Sequence, residues 1–121
     1  MMLTAKKFAG NPSAIHKEGR EARGVLEDAR GRVADALSAH SDEIVFTSGA
    51  TEANNMALQG IIRAAHARGV ARPHIIISAI EHPSVLETVR TLAGEYVCVE
   101  ILPVDSHGLV NPRELRKLIT S

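Results

Sequence analysis

The sequence predicts an α/β fold, a partial three-layer sandwich in which a mainly parallel sheet is flanked by helices. Three observations carry this. After a long first helix, the segments alternate strand, helix, strand, helix, strand, helix, and that order implies parallel strands joined by right-handed crossovers. The composition is 45% apolar but only 2% aromatic, so the core must come from Ile, Leu, Val and Ala, which suit a parallel sheet covered by helices. A length of 121 residues fits one domain, since domains most often run about 100–150 residues.

The elements follow in order. Ile15, Gly19, Ala22, Leu26, Ala29, Val33 and Leu37 recur every three or four positions, which predicts an amphipathic helix from about Ser13 to about Ala39. Ser13 is the expected N-cap behind Asn11-Pro12. Glu27, Asp28, Arg30 and Arg32 are expected as solvated charges on the opposite face. Glu43 to Thr47 reads as a buried strand and Thr51 to Ala67 as a second helix, stopped by Gly69. "HIIIS", His74 to Ser78, is a second strand. Pro83, with His82 at the cap, opens a helix through about Ala93. Tyr96 to Leu102 is a third strand, and Asn111-Pro112 opens a last helix to about Ile119. Three strands and a long helix leave apolar surface uncovered, as expected of a piece of a larger fold or half of an oligomer. Residues 1–121 are accordingly read as a single partial domain.

Bulk charge removes several function classes. Fourteen basic and fourteen acidic residues cancel, and no basic or acidic block stands out, so neither nucleic acid nor an anionic membrane is an expected partner. Apolar runs such as Ile75-Ile76-Ile77 fall far short of the roughly 20 residues that span a bilayer. "MMLTAKKFAG" has no extended apolar stretch, so no secretory signal is expected. Cys98 is the single cysteine and cannot form an intramolecular disulfide, which makes a reducing cytoplasm the default compartment.

Two stretches could carry chemistry. In Ser48-Gly49-Ala50-Thr51-Glu52, glycine permits tight backbone geometry and Ala50 leaves the approach open. The first amides of the following helix lack intrahelical partners, and its dipole favours an anion. Thr51 adds a hydroxyl. The turn therefore reads either as a phosphate cup at the carboxyl end of a strand or as helix capping by Ser48 or Thr51. It is neither a Walker A loop nor G-x-G-x-x-G. In "SAIEHPSV", residues 78–85, His82 falls just past a strand, on the sheet edge expected for the Gly49 turn. There an imidazole can stack on a flat ligand, move protons or merely cap a helix. His16, His40, His66, His74 and His107 form no metal-ligand spacing, so no metal site is expected. Cys98 reads as a small core residue, and Glu52 as a carboxylate placed for the helix dipole.

"GNPSAIHKEGREAR", "EIVFTSGATEANNMAL", "EHPSVLETVR" and "LPVDSHGLVNPRELRKLI", in this order and spacing, resemble the cysteine desulfurases, class V aminotransferase relatives among the fold type I pyridoxal-phosphate enzymes. The resemblance runs from about Met2 to Thr120 and implies a part of the large cofactor-binding domain. By that resemblance Ala50 and Thr51 hold the phosphate of pyridoxal 5'-phosphate. His82 lies against the pyridine ring and is the candidate catalytic proton carrier. Gly10-Asn11-Pro12-Ser13 matches a loop near the active site and dimer interface. The implied reaction takes L-cysteine to L-alanine and leaves a persulfide on a mobile cysteine, with a lysine holding the cofactor as a Schiff base. A homo-oligomer, or association with a missing C-terminal portion, is the implied assembly.

The resemblance covers only the N-terminal third of such an enzyme. The lysine of a Ser/Thr-x-His-Lys-type stretch, the aspartate paired with the pyridine nitrogen, the substrate-binding arginine and the persulfide cysteine fall outside these 121 residues, as does an opening strand with an Asn-x-Ala-Thr-Thr turn. Lys6, Lys7, Lys17 and Lys117 occur in other contexts, and Cys98 lies in a strand. The polypeptide alone is therefore expected to be inactive. Two other readings stand beside this one: a non-catalytic α/β binding or assembly module, and part of another class V enzyme such as a selenocysteine lyase or an aminotransferase. The implied fate of the sulfur is iron–sulfur cluster assembly or thiolation of transfer RNA.

Overall fold

The structure, a computed structural model, describes residues 10–119. Lys6, Lys7 and most of the opening stretch lie outside the described residues. The chain divides after Phe46 into two compact units, which are taken separately.

In the first unit, helix α1 spans Lys17–Leu37. It starts four residues later than the periodicity predicts, and His16 is its N-cap, with the ring accepting from the Gly19 amide at 3.3 Å. Ser13 is instead part of a turn, its amide donating to Asn11 Oδ1 at 2.9 Å. The Gly-Asn-Pro-Ser turn folds tightly against the start of α1. A Cβ at Gly10 would stand 2.3 Å from the Glu18 carbonyl oxygen, and one at Gly19 2.3 Å from that of Ala14. Two glycines therefore set this close approach, because no side chain fits.

The expected strand Glu43–Thr47 does not form. Ser41–Glu43 is a turn of 3₁₀ helix, and the chain beyond it is extended with no strand partner among the described residues. Its Ile44 carbonyl is instead taken by the Arg30 guanidinium, which also lies 5.2 Å from the centre of the Phe46 ring. Arg30 is thus not a solvated charge: its side chain is only 21% exposed and also pairs with Glu27 at 3.0 Å. β-branched composition favours a strand, but a strand needs a neighbour to take its backbone groups. Here a side chain takes one of them. Asp28 and Arg32 do pair on the exposed face, at 3.2 Å, as i,i+4 partners do.

The second unit holds the sheet. Helix α2 is Ala50–Ala67, strand β1 His74–Ser78, helix α3 Pro83–Leu92, strand β2 Cys98–Leu102 and helix α4 Pro112–Leu118. Helix α2 ends in a Schellman motif. The Gly69 amide donates to His66 O at 2.9 Å and the Val70 amide to Ala65 O at 3.0 Å, with Gly69 at φ 85°, a left-handed value that favours glycine. The two prolines sit at the helix starts the sequence predicts. His82 caps α3 through Ser84, and Asn111 caps α4 through the Arg113 amide at 2.9 Å.

Strands β1 and β2 pair in parallel, with His74 opposite Cys98 and Ser78 opposite Leu102. Among the described residues the sheet has two strands rather than three. The parallel α/β class holds, with helix α2 packed on α3 and α4 beside β2. Ile62, Ile77, Val89, Val97 and Leu102 are the buried apolar residues of this unit. Val89 is completely buried, so Val89→Ala removes two buried methyl groups and leaves a cavity. The expected loss is about 2 kcal/mol, read from denaturant unfolding; an unchanged midpoint would contradict this packing.

Candidate functional site

The site grows from the start of helix α2. Gly49 is the N-cap and contributes no side-chain bond, so the amides of the first turn are left for an outside acceptor. Its backbone is extended, at φ 169° and ψ −179°, which any residue can adopt. A Cβ there would meet nothing within 4 Å. The tight-turn argument for Gly49 therefore fails. What its missing side chain does leave is unobstructed access to the amides of Ala50 and Thr51.

Ala50 and Thr51 are the first two helical residues and both are exposed. The Thr51 carbonyl accepts from Asn55 Nδ2 at 2.9 Å, a contact that leaves its hydroxyl free to turn. Glu52, in the same turn, reaches back so that one carboxylate oxygen accepts from both the amide and the hydroxyl of Ser48, each at 2.6 Å. The Ser48 hydroxyl first, and its amide second, hold the Glu52 carboxyl below its ordinary value, because both bonds favour the charged form. Capping at this turn thus runs from Glu52 to Ser48, not from Ser48 or Thr51 to the helix. The amides of Ala50 and Thr51 are not consumed by it.

His82 enters by a different route from the one its sequence position suggests. With no strand at 43–47, the Gly49 turn and His82 do not share an edge of the described sheet. They are joined instead through the packing of α2 on α3. Asn54, one turn into α2, donates to Ser84 Oγ at 2.8 Å, and Ser84 Oγ lies 2.9 Å from His82 Nδ1. The Ser84 amide donates to the same Nδ1 at 3.1 Å. A ring nitrogen that accepts from an amide carries no proton, so the neutral imidazole holds its proton at Nε2. His82 itself is exposed, and Nε2–H is its free donor.

Asn54 and Ser84 are the linking residues that sequence reading missed. Ser84 is 8% exposed, and a buried hydroxyl left unpaired costs about 1–3 kcal/mol, so its bonds to Asn54 and His82 are structural necessities. The signal was present: Asn54 interrupts the inward stripe of α2 that continues through Leu58 and Ile62, and a polar residue there calls for a partner. Between α2 and α3 runs a groove of about 390 Å³, with Thr51, Asn55, Ser84 and Thr88 among its lining residues. Neither Ala50 nor His82 lines it, so the structure links the three predicted residues by helix packing rather than by one enclosed pocket.

The fold is that of the NifS-like fold type I α/β enzymes. The chain belongs to the aminotransferase class-V family, whose model it matches over residues 1–121. It is 46% identical over 114 residues to a cysteine desulfurase IscS of Dictyoglomus turgidum, covering 94% of this chain and 28% of that protein. A cysteine desulfurase IscS of Methanosarcina thermophila is 46% identical over 110 residues, 91% of this chain and 26% of that one. Among solved structures, a NifS-like protein superposes with a TM-score of 0.81 at 38% identity, over 98% of this chain and 32% of that chain. A structure of SspA in complex with cysteine gives 0.79 at 33% identity, over 98% and 35%. The chain thus spans about a quarter to a third of the proteins it matches. No described helix is long and apolar enough to cross a membrane.

The Glu52 contact makes a checkable statement about pH. Its folded value lies below its unfolded one, so its contribution to stability is complete above the ordinary carboxylate range and is lost as pH falls through the depressed value. Ser48→Ala deletes the larger of the two causes. The Glu52 titration followed by carboxyl NMR is expected to move up toward the ordinary value, and an unmoved titration would contradict the assignment.

Proposed function

We propose that this chain is the phosphate-holding part of a pyridoxal-phosphate-dependent cysteine desulfurase, the enzyme that converts L-cysteine to L-alanine and an enzyme-bound persulfide. The observation that carries the reading is the open start of α2, tied by Asn54 and Ser84 to a histidine with a free Nε2–H. The family and its desulfurase relatives support it, and SspA in complex with cysteine supports cysteine as the substrate.

The residues present fit one end of the cofactor. The amides of Ala50 and Thr51 and the Thr51 hydroxyl would hold its phosphate, where the helix dipole favours negative charge. Gly49 leaves that approach clear. Pyridoxal phosphate, when bound, supplies an electron sink for bond cleavage at the substrate. His82 offers a flat ring and a donor at Nε2. Taking up a proton at Nδ1 would cost it the cap to the Ser84 amide. In the capped form the ring orients and donates at Nε2 rather than accepts.

Chemistry needs a lysine for the Schiff base and a cysteine for the sulfur, and these 121 residues hold neither in the family context. Exposed apolar residues, among them Ile80 (63%), Tyr96 (68%) and Leu109 (65%), support cover by a second copy or by the remainder of such an enzyme. A cytoplasmic setting fits this activity.

Titration of the 121-residue chain with pyridoxal phosphate tests the reading. Weak binding that inorganic phosphate competes away is expected, reduced about tenfold in Thr51→Val by loss of a charge-assisted hydrogen bond. No sulfide should be released from cysteine, and sedimentation should show an associated species. Binding indifferent to phosphate and to Thr51→Val would overturn the cup. Sulfide release would overturn the claim of inactivity, and a compact monomer the claim of association.

A further inference from the structure

The geometry points to a transition-metal site, of the zinc class, built by His74, Cys98 and Glu100 at the amino ends of the paired strands. It is independent of the cofactor reading. The ladder creates it: His74 lies opposite Cys98 in parallel register, so the two side chains share a face, and Glu100, two residues on, returns to that face. The imidazole, sulfur and carboxylate ligand atoms all lie within 4.8 Å of one another.

Two features separate this cluster from a chance meeting of polar residues. His74 Nε2 is a buried atom with no hydrogen-bond partner among the described residues, and buried polar atoms are rarely left so. Glu100 Oε1 stands 3.6 Å from it. That is too far for a hydrogen bond, but close to the roughly 3.4 Å separating two ligand atoms on a tetrahedral zinc. Half-burial of all three residues keeps the site partly shielded yet reachable.

The donor set selects the ion. A thiolate, an imidazole nitrogen and one carboxylate oxygen suit zinc or cobalt(II) and not magnesium or calcium, which take oxygen ligands. A divalent ion would be neutralised by the thiolate and the carboxylate, with water in the fourth position. On binding, the sulfur–metal bond forms as the Cys98 thiol proton passes to solvent. Ligands on two strands make the ion a clamp on strand register. No local spacing reveals it, because His74 and Cys98 meet only through the sheet.

Cobalt(II) titration of the reduced, metal-free 121-residue chain tests this. Saturation at one equivalent is expected, with a thiolate-to-cobalt charge-transfer band that zinc displaces, and zinc should raise the thermal midpoint. Cys98→Ser should abolish the band, and His74→Asn and Glu100→Gln should each weaken binding about tenfold or more, since even an outer-shell loss costs about 10–100-fold. Circular dichroism of each variant should retain the helical signal. Absence of one-equivalent binding in the parent chain, or affinity unchanged in the three helical variants, would overturn the site.

Discussion

The hydrogen bond from Asn54 to Ser84 is the constraint on which the candidate cofactor site rests. It joins two helices that begin in unrelated parts of the sequence, one turn inside α2 and at the second residue of α3. Ser84 is buried, so it must find partners wherever α3 packs. It finds one on α2 and one in the ring of its own N-cap. The packing of α2 on α3 thereby fixes the separation between open amides at one helix start and an imidazole at another. A site assembled from two helix starts is held as firmly as the helices are packed, which is how rigid elements position a ligand.

Electrostatics at the α2 start is balanced rather than simply positive. Glu52 places a carboxylate in the first turn, where the dipole favours it, but its charge is spent on Ser48 at 2.6 Å. The Ala50 and Thr51 amides stay available, and an incoming dianion meets a carboxylate that already has two donors. Removing those donors would leave Glu52 free to compete for the same amides.

Legibility in the sequence followed the range of the interactions. Helix starts at Pro83 and Pro112, the stop at Gly69 and both strands of the sheet rest on local chemistry, and each stands where pattern places it, with β2 shorter by two residues. The strand expected at 43–47 was not legible, because strand formation depends on a partner, and Arg30 takes the Ile44 carbonyl instead. The cap of α1 moved to His16 for a related reason: Asn11 holds Ser13 in a turn of its own. For the site, Ala50, Thr51 and His82 could be singled out as residues. Their connection could not, since it runs through a side-chain contact across the sequence. The His74, Cys98 and Glu100 cluster is likewise a product of strand register.

The proposed half-site has two ends, a phosphate at α2 and a ring at His82, fixed by one buried serine. Amide and imidazole NMR during titration of the chain with pyridoxal phosphate tests that directly. The Ala50 and Thr51 amides and the His82 ring are expected to shift along one shared binding curve. Shifts confined to one end, or centred away from both helix starts, would contradict it.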